Sequence, residues 1–208
     1  MKNDNIPRIR FKGFTDTWEQ RKLGDLCYLR GRIGFRGYTK EDLVAEGAIT
    51  FSPSDIAQDG AISTTNNDHI TIAKYEESPE IKVSIDDILF TKTASIGKIG
   101  FVDNLPEKAT INPQFALITP NKNLIYPYYL FVQLRTEKCL TWAANITGGS
   151  SVPTMSQEKL KEMPIYELSL EEEKKIGDLF YKINNLITLH QRKQKYDILY
   201  KLRFLKNN

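Results

Sequence analysis

The segment SLEEEKKIGDLFYKINNLITLHQRK, residues 169–193, decides the fold, because its pattern predicts one long helix at the end of the chain. Ser169 is a favourable N-cap, and Glu172 follows three residues later, which is the spacing of a capping box. Three glutamates in the first turn complement the helix dipole. No proline interrupts the rest of the chain, and the only glycine there is Gly177. About 36 helical residues would make a rod roughly 54 Å long.

Apolar residues recur along this helix at spacings of three and four, although the heptad pattern is imperfect. A small domain cannot cover such a long stripe, so the pattern predicts a partner helix. The alternative is a long helix that folds back on its own domain. The side chains expected at a dimerisation surface are Ile176, Leu179, Ile183, Leu186, His190, Tyr196 and Leu199.

The chain ahead of this helix predicts a mixed sheet and helix domain. Short β-branched and aromatic runs alternate with turn clusters over residues 48–120, which is typical of strands. These runs are AITF, HITIA, IKVSI, ILFTKT, KIGFV and QFALIT. Helical patterns cover residues 17–26, 126–144 and 155–162, and MPIYEL then predicts a strand. The expected fold class is therefore α+β, with a long C-terminal helix.

Bulk properties exclude several classes of protein. The 208 residues, 40% of them hydrophobic, allow one large or two small globular domains. No apolar run approaches the roughly 18 residues of a membrane span, and the N-terminus lacks the apolar region of a secretory signal. Cys27 and Cys139 are far apart, without metal-ligand spacing, and are expected to be buried thiols. We therefore expect a cytoplasmic protein.

The charge is unevenly distributed. The net charge is +3, but residues 1–40 carry +6 and residues 41–91 carry −9. A polyanion would meet one basic face rather than a uniformly basic protein. The alternative is a solvated surface with accidental clustering.

The segment FTKTASIGKIGFV, residues 90–102, contains two glycines and a lysine but does not fit a nucleotide-binding loop. In that motif a Ser or Thr follows the lysine and a glycine lies five residues before the second glycine. Ile99 and Lys92 occupy these two positions here, and both flanks are strand-like. The pattern instead predicts a strand, a tight turn and a second strand.

The sequence predicts neither a catalytic site nor a metal or cofactor site. Two histidines cannot build a His-rich metal centre, and both the G-x-G-x-x-G dinucleotide fingerprint and the tetrapeptide of amino-methyltransferases are absent. Asp103 and Glu107 loosely resemble a nuclease pair, but they lie in a segment typical of a surface turn. A solitary endonuclease stays open as a minor alternative.

The remaining pattern is one of binding. Several loops combine glycine, hydroxyl groups and basic side chains, which suits phosphate contacts together with base-edge readout. For the hairpin, a purely structural role stays open. The residues expected to contact DNA are Arg30, Arg32, Arg36, Lys92, Thr93, Ser95, Lys98, Gly149, Ser150 and Ser151.

Four stretches together resemble the target recognition domain and spacer helix of a type I restriction–modification specificity subunit. They are PRIRFKGFTDTWEQRKLGDL, FTKTASIGKIGFV followed by INPQFALITP, TGGSSVPTMSQEKLKEMPIYEL, and LEEEKKIGDLFYKINNLITLHQRK. The resemblance covers nearly the whole chain in the order of the family. Recognition loops vary greatly between members, so the resemblance assigns no individual DNA contact.

The resemblance implies a non-catalytic subunit that reads DNA and brings methylation and restriction subunits to it. Members have two recognition domains and two antiparallel helices, which set the distance between two half-sites. This sequence has one domain, expected at residues 1–168, and one helix at 169–208. We expect a half subunit, a natural truncation or a fragment, and a homodimer through the helix. The alternative is an interaction protein that modulates a complete specificity subunit without reading DNA alone.

Overall fold

The computed structural model describes residues 7, 9–32, 38–93, 96–147 and 154–206, and within this range it leaves out the side chains of residues 192 and 195–206. The strands are β1 (Glu19–Lys22), β2 (Cys27–Arg30), β3 (Leu43–Val44), β4 (Ala48–Phe51), β5 (Asp68–Ile70), β6 (Ile88–Thr91), β7 (Ile99–Phe101), β8 (Ala109–Ile111), β9 (Phe115–Pro120) and β10 (Pro164–Glu167). The α-helices are α1 (Leu23–Leu26), α2 (Ile72–Glu77), α3 (Pro127–Leu134), α4 (Glu137–Thr147), α5 (Gln157–Lys161) and α6 (Leu170–Lys206).

A central antiparallel sheet has the order β2-β9-β6-β7, and both of its faces are buried. Ile88 and Phe90 face a core that includes α3 and α4. Leu89 faces a second core, which the sheet β3-β5-β4-β8 covers. Burial on both sides explains why β6 reads as a continuous apolar run rather than an alternating one. The mixed α+β fold class expected from the sequence is confirmed.

The long C-terminal helix is also confirmed, with Ser169 as its cap. The hydroxyl of Ser169 accepts a hydrogen bond from the Glu172 N–H at 3.4 Å. The helix packs closely on α3 at Gly177, where a side-chain Cβ would come within 2.7 Å of the Tyr126 ring and 3.1 Å of the Tyr129 nitrogen. A glycine is therefore required at this crossing of two helices.

Several local expectations are wrong. Residues 17–26 form β1 and α1 instead of one helix, because β1 pairs with β10. Ile72–Glu77 is helical. The segment IKVSI begins at Ile81, the last residue of the short 3-10 helix Pro79–Ile81, and forms no strand. The helical region at 126–144 breaks between α3 and α4. The helix expected from residue 155 begins at Gln157, because Ser156 caps α5 by accepting a hydrogen bond from the Lys159 N–H.

Candidate nucleic-acid interface

The described ends of three loops meet at one end of the central sheet. The Lys92 N–H donates to the Gln114 carbonyl at 2.8 Å, and the Met155 N–H donates to the Lys92 carbonyl at 2.8 Å. A short antiparallel bridge between Thr93 and Thr154 extends this pairing. We call the five residues at this meeting point the loop junction: Gly31, Lys92, Gln114, Met155 and Gln157.

Strand order explains why these loops meet. β2 and β6 both end where their shared neighbour β9 begins, so the segments that follow them leave the sheet at the same end. Gly31 follows β2 and passes directly against Gln157. A side chain at this position would collide with the Gln157 amide and lie 3.6 Å from the Phe115 carbonyl oxygen. A larger residue at position 31 would therefore have to displace the end of the Gln157 side chain.

Lys92 supplies a cation at the loop junction. Its side chain is half-buried, and burial lowers the pKa of its ammonium group, while the charge of Glu158 acts in the opposite direction. Among the described residues, the ammonium makes no hydrogen bond or ion pair within the standard distance limits. A partly desolvated cation gains more from a nearby anion than a fully hydrated one does. Lys92 is therefore well placed to contact phosphate.

Arg32 lies beside the sheet β3-β5-β4-β8, which we call the second sheet. Its positive charge acts to lower the pKa of the Tyr38 phenol, although burial raises that pKa overall. The hydroxyl of Tyr38 accepts a hydrogen bond from Thr50 at 2.7 Å, which connects the first loop to β4. The segment that follows β2 is thus also attached to the domain at its far end, through Tyr38.

Arg30 is engaged with its own strand neighbours. Its Nη2 donates to the Thr119 hydroxyl at 2.7 Å, and that hydroxyl donates to Asp87 at 2.5 Å. Arg30 also lies 3.5 Å from the other Asp87 oxygen, whose side chain is 1% exposed. Burial raises the pKa of Asp87, and the Thr119 hydrogen bond and the Arg30 charge oppose this change. A third of the Arg30 side chain remains exposed beside Tyr28, so the network orients the guanidinium group while leaving part of it accessible.

Lys98 faces a different part of the domain. Its ammonium donates to the Pro53 carbonyl and so connects the turn end of the β6–β7 hairpin to the segment after β4. The hairpin itself is closed by the Thr91 N–H, which donates to the Lys98 carbonyl at 3.0 Å. The structure therefore brings Lys92 and Thr93 together with the ends of the other loops, but directs Lys98 elsewhere.

The expected contacts at Arg36, Ser95, Gly149, Ser150 and Ser151 lie outside the described residues. Their neighbours in the chain flank the loop junction. The assignment of all ten residues to DNA contact stays a prediction.

Sequence reasoning missed the amide side chains at the same place. The Asn112 amide donates to the Gln114 side-chain oxygen at 3.1 Å and accepts from the Gln114 N–H at 2.9 Å. Gln157 packs over Gly31 nearby. Asn and Gln are suited to pairing with an adenine edge. The sequence did offer a signal. Asn112 and Gln114 stand beside a predicted strand in INPQFALITP, and Gln157 stands near the start of a predicted helix.

One flank of α6 carries the predicted apolar stripe. Residues 176, 179, 183, 186 and 190 share a face through their alternating spacing of three and four. Ile176 packs against the core, whereas Leu179, Ile183 and Leu186 are exposed. The stripe continues into an apolar groove formed with Ile9, Phe11 and Trp18. Tyr196 and Leu199 lie in the helix, but their side chains are outside the described set.

Two kinds of feature, a membrane-spanning helix and a metal-binding cluster, are absent from the described residues. None of their helices is long and apolar enough to cross a membrane. They also contain no group of three or more His, Cys, Asp or Glu side chains arranged to bind a metal ion.

Residues 15–198 match the family described as the type I restriction modification DNA specificity domain. The chain belongs to this family. Two specificity subunits of Methanocaldococcus jannaschii are similar to it, those of the type I restriction enzymes MjaX and MjaIX. Each is 28% identical over 89% of this chain, and the matched region is 44% of MjaX and 41% of MjaIX. The chain thus spans less than half the length of these relatives.

Solved structures of type I systems have the same fold. A chain from a study of the assembly of a type I restriction–modification system aligns over 89% of this chain and 43% of its own, with a TM-score of 0.62 and 15% identity. The HsdS subunit of Thermoanaerobacter tengcongensis aligns over 91% and 42%, with a TM-score of 0.60 and 14% identity. The S subunit of M. genitalium aligns over 91% and 46%, with a TM-score of 0.61 and 14% identity.

Membership of the specificity-domain family answers the question of catalysis. Specificity subunits of type I restriction systems are non-catalytic DNA-recognition proteins, so the chain is not placed among nucleases or methyltransferases. The resemblance of the sequence to type I specificity subunits is thus confirmed.

Proposed function

We propose that the protein reads one half of a bipartite DNA site for a type I restriction–modification system, with residues 1–168 as the recognition domain. The observation that carries this proposal is the loop junction of a specificity-domain fold, where the half-buried ammonium of Lys92 lacks a partner among the described residues. Phosphate contacts from such cations fix a protein on the duplex, and neighbouring amides or guanidinium groups can read base edges. The cytoplasm, where the DNA of a prokaryotic cell lies, is the proposed location.

We further propose that residues 169–208 pair with a second copy, and that the methylation and restriction subunits dock on this assembly. Antiparallel pairing of two α6 helices would place two recognition domains on one two-fold axis. The exposed side chains of Leu179, Ile183 and Leu186 support this pairing, because a contiguous apolar face of a soluble helix favours a partner.

The decisive experiment for DNA reading is selection from a random duplex library by the chain together with its methyltransferase subunit. The expected result is enrichment of a palindromic sequence with two short defined halves and a gap of fixed length. Enrichment of no sequence, while the chain still binds the methyltransferase or a complete specificity subunit, would contradict DNA reading and favour the modulator alternative.

Pairing is tested by light scattering on a size-exclusion column. The expected mass is about twice the 23.9 kDa of one chain. Leu186→Lys should shift the protein to a monomer, because Leu186 lies on the stripe and is 67% exposed. Asn185→Lys is the control, since Asn185 is exposed but stands neither three nor four residues from any of the residues 176, 179, 183, 186 and 190. A monomeric wild-type protein at micromolar concentration would refute the homodimer.

A further inference from the structure

The helix α6 packs on α3 around Gly177 and Tyr181, and a polar contact beyond this region connects it to a different part of the domain. Near its start, Glu173 accepts a hydrogen bond from the Tyr126 N–H at 2.7 Å, and Asp178 accepts one from the Tyr126 hydroxyl at 2.9 Å. Further along, Thr188 donates to the Asp59 carboxylate at 2.9 Å. Glu173 and Thr188 are roughly 22 Å apart along the helix axis. The contact of Thr188 lies about two turns beyond the ring contact of Tyr181 with Tyr128, so it lengthens the part of the helix that is held against the domain.

All three acceptor oxygens of Asp59 are used, and two of them accept hydrogen bonds from α6. One carboxylate oxygen accepts from the Ala61 N–H at 3.0 Å, and the other accepts from Thr188. The carbonyl oxygen accepts from Arg135 at 2.5 Å and from the Asn184 amide at 3.4 Å. One residue therefore joins its own turn, the end of α3 and the middle of α6.

The turn that carries Asp59 is itself fixed to the central sheet. We call residues 57–61 the Asp59 turn. It is closed by the Ala57 N–H, which donates to the Ala61 carbonyl at 2.8 Å, and the Phe101 N–H donates to the Gly60 carbonyl at 3.1 Å. Gly60 has a φ of +88°, and a Cβ there would lie 2.5 Å from the Phe131 ring, so only glycine fits. The turn is thus a stiff projection of the sheet toward α6.

We propose that the Asp59 turn is a strut that fixes the direction of α6 relative to the recognition domain, and thereby sets the gap between half-sites that the paired protein accepts. The second part rests on the proposed function. Without the strut, α6 would still be held by Tyr126 and by the ring contact of Tyr181 with Tyr128, but its direction would be fixed over a shorter length. A pivot of about 5° moves the far end of the helix, roughly 50 Å away, by about 4 Å, which exceeds the 3.4 Å rise of one base pair.

Thr188→Val tests the strut with little change in shape, because valine replaces the hydroxyl by a methyl group. Thr188→Ser is the matched control, since it keeps the donor. Each protein is assayed on duplexes that carry the half-sites selected by the wild-type protein, with the gap shortened or lengthened by one or two base pairs.

We expect the wild-type and Ser proteins to bind the natural gap at least about tenfold more tightly than a gap altered by one base pair, comparable to one mismatched pair. The Val protein should discriminate by only about threefold between gaps while still preferring the same half-site sequence. Undiminished gap discrimination in the Val protein would overturn the proposal. Failure of the wild-type protein to select any half-site would instead refute the proposed function.

A second measurement tests the strut without DNA. Spin labels at Glu46→Cys and Gln191→Cys report the distance from the second sheet to α6, and excess unlabelled protein suppresses distances between chains. The native Cys27 and Cys139 are buried, so they stay unlabelled in the folded protein. The distance distribution should widen by a few ångström in the Thr188→Val protein and match wild type in Thr188→Ser. Equal widths in all three proteins would overturn the strut.

Discussion

The two ends of the central sheet differ in the kind of contact that completes them. At the helix end, carboxylates accept hydrogen bonds within the chain, as Glu173 does from the Tyr126 and Leu168 N–H groups. At the loop end, backbone hydrogen bonds fix the loops, while the cation of Lys92 has no partner among the described residues. The helix end is thus completed by contacts within the chain, whereas the proposed function assigns the completion of the loop end to DNA.

Among the substitutions that test this difference between the two ends of the sheet, Glu173→Ala should have the largest effect. The side chain of Glu173 is fully buried, so its loss leaves two buried N–H groups without an acceptor and should cost about 2–4 kcal/mol of unfolding free energy. Urea denaturation measures the effect. Glu171→Ala is the matched control in the same turn, because Glu171 is exposed and pairs only with Lys175, and it should change stability by less than about 1 kcal/mol. Equal losses of unfolding free energy in the two variants would contradict the proposed difference between the two ends of the sheet.

The same glutamate predicts how stability depends on pH. Burial raises the pKa of Glu173 to about 7, and the two N–H hydrogen bonds only partly oppose this. The folded state therefore retains a proton that the unfolded state releases, so the contribution of Glu173 to stability is greatest below its ordinary pKa of 4.5 and declines as pH rises toward 7. Between pH 5 and 8, wild type should lose about 1–3 kcal/mol relative to Glu173→Ala. Parallel stability curves for the two proteins would contradict a raised pKa.

At the loop end, Lys92→Ala should weaken binding to all DNA sequences about tenfold and change stability little, because the ammonium makes no hydrogen bond or ion pair among the described residues and the main-chain bonds to Gln114 and Met155 are kept. Its slope of log affinity against log salt concentration should fall by about one. Lys122→Ala sharpens the comparison, since Lys122 lies at the helix end, where it pairs with Asp86 at 2.6 Å. Fluorescence anisotropy at several salt concentrations measures both. An identical salt slope in Lys92→Ala and wild type would remove Lys92 from the interface.

Local patterns predicted the elements whose contacts are close in sequence. The β6–β7 hairpin and the start of α6 at Ser169 were both found, because a strand–turn–strand pattern and a capping pattern need no distant partner. Residues 17–26 were predicted wrongly for the converse reason. Glu19 pairs with Glu167, and nothing near Glu19 in the sequence indicates that β10 will extend a sheet there.

The candidate site shows the same limit. Lys92 and Thr93 were chosen for their residue types, and their position beside Thr154 depends on a bridge across the fold. Asp59 gave no signal at all, because an Asp-Gly pair is common in turns and its partner Thr188 lies 129 residues away. Contacts between distant segments require the folded arrangement.

The backbone pairing at the loop junction has a consequence for protein engineering. The hydrogen bonds that join Lys92 to Gln114 and Met155 use main-chain atoms, so they do not depend on which side chains the adjoining loops carry. The segments between 32 and 38, 93 and 96, and 147 and 154 are therefore natural positions for randomised libraries. Grafted segments could be screened for new sequence preferences on an unaltered scaffold, with Gly60 kept constant.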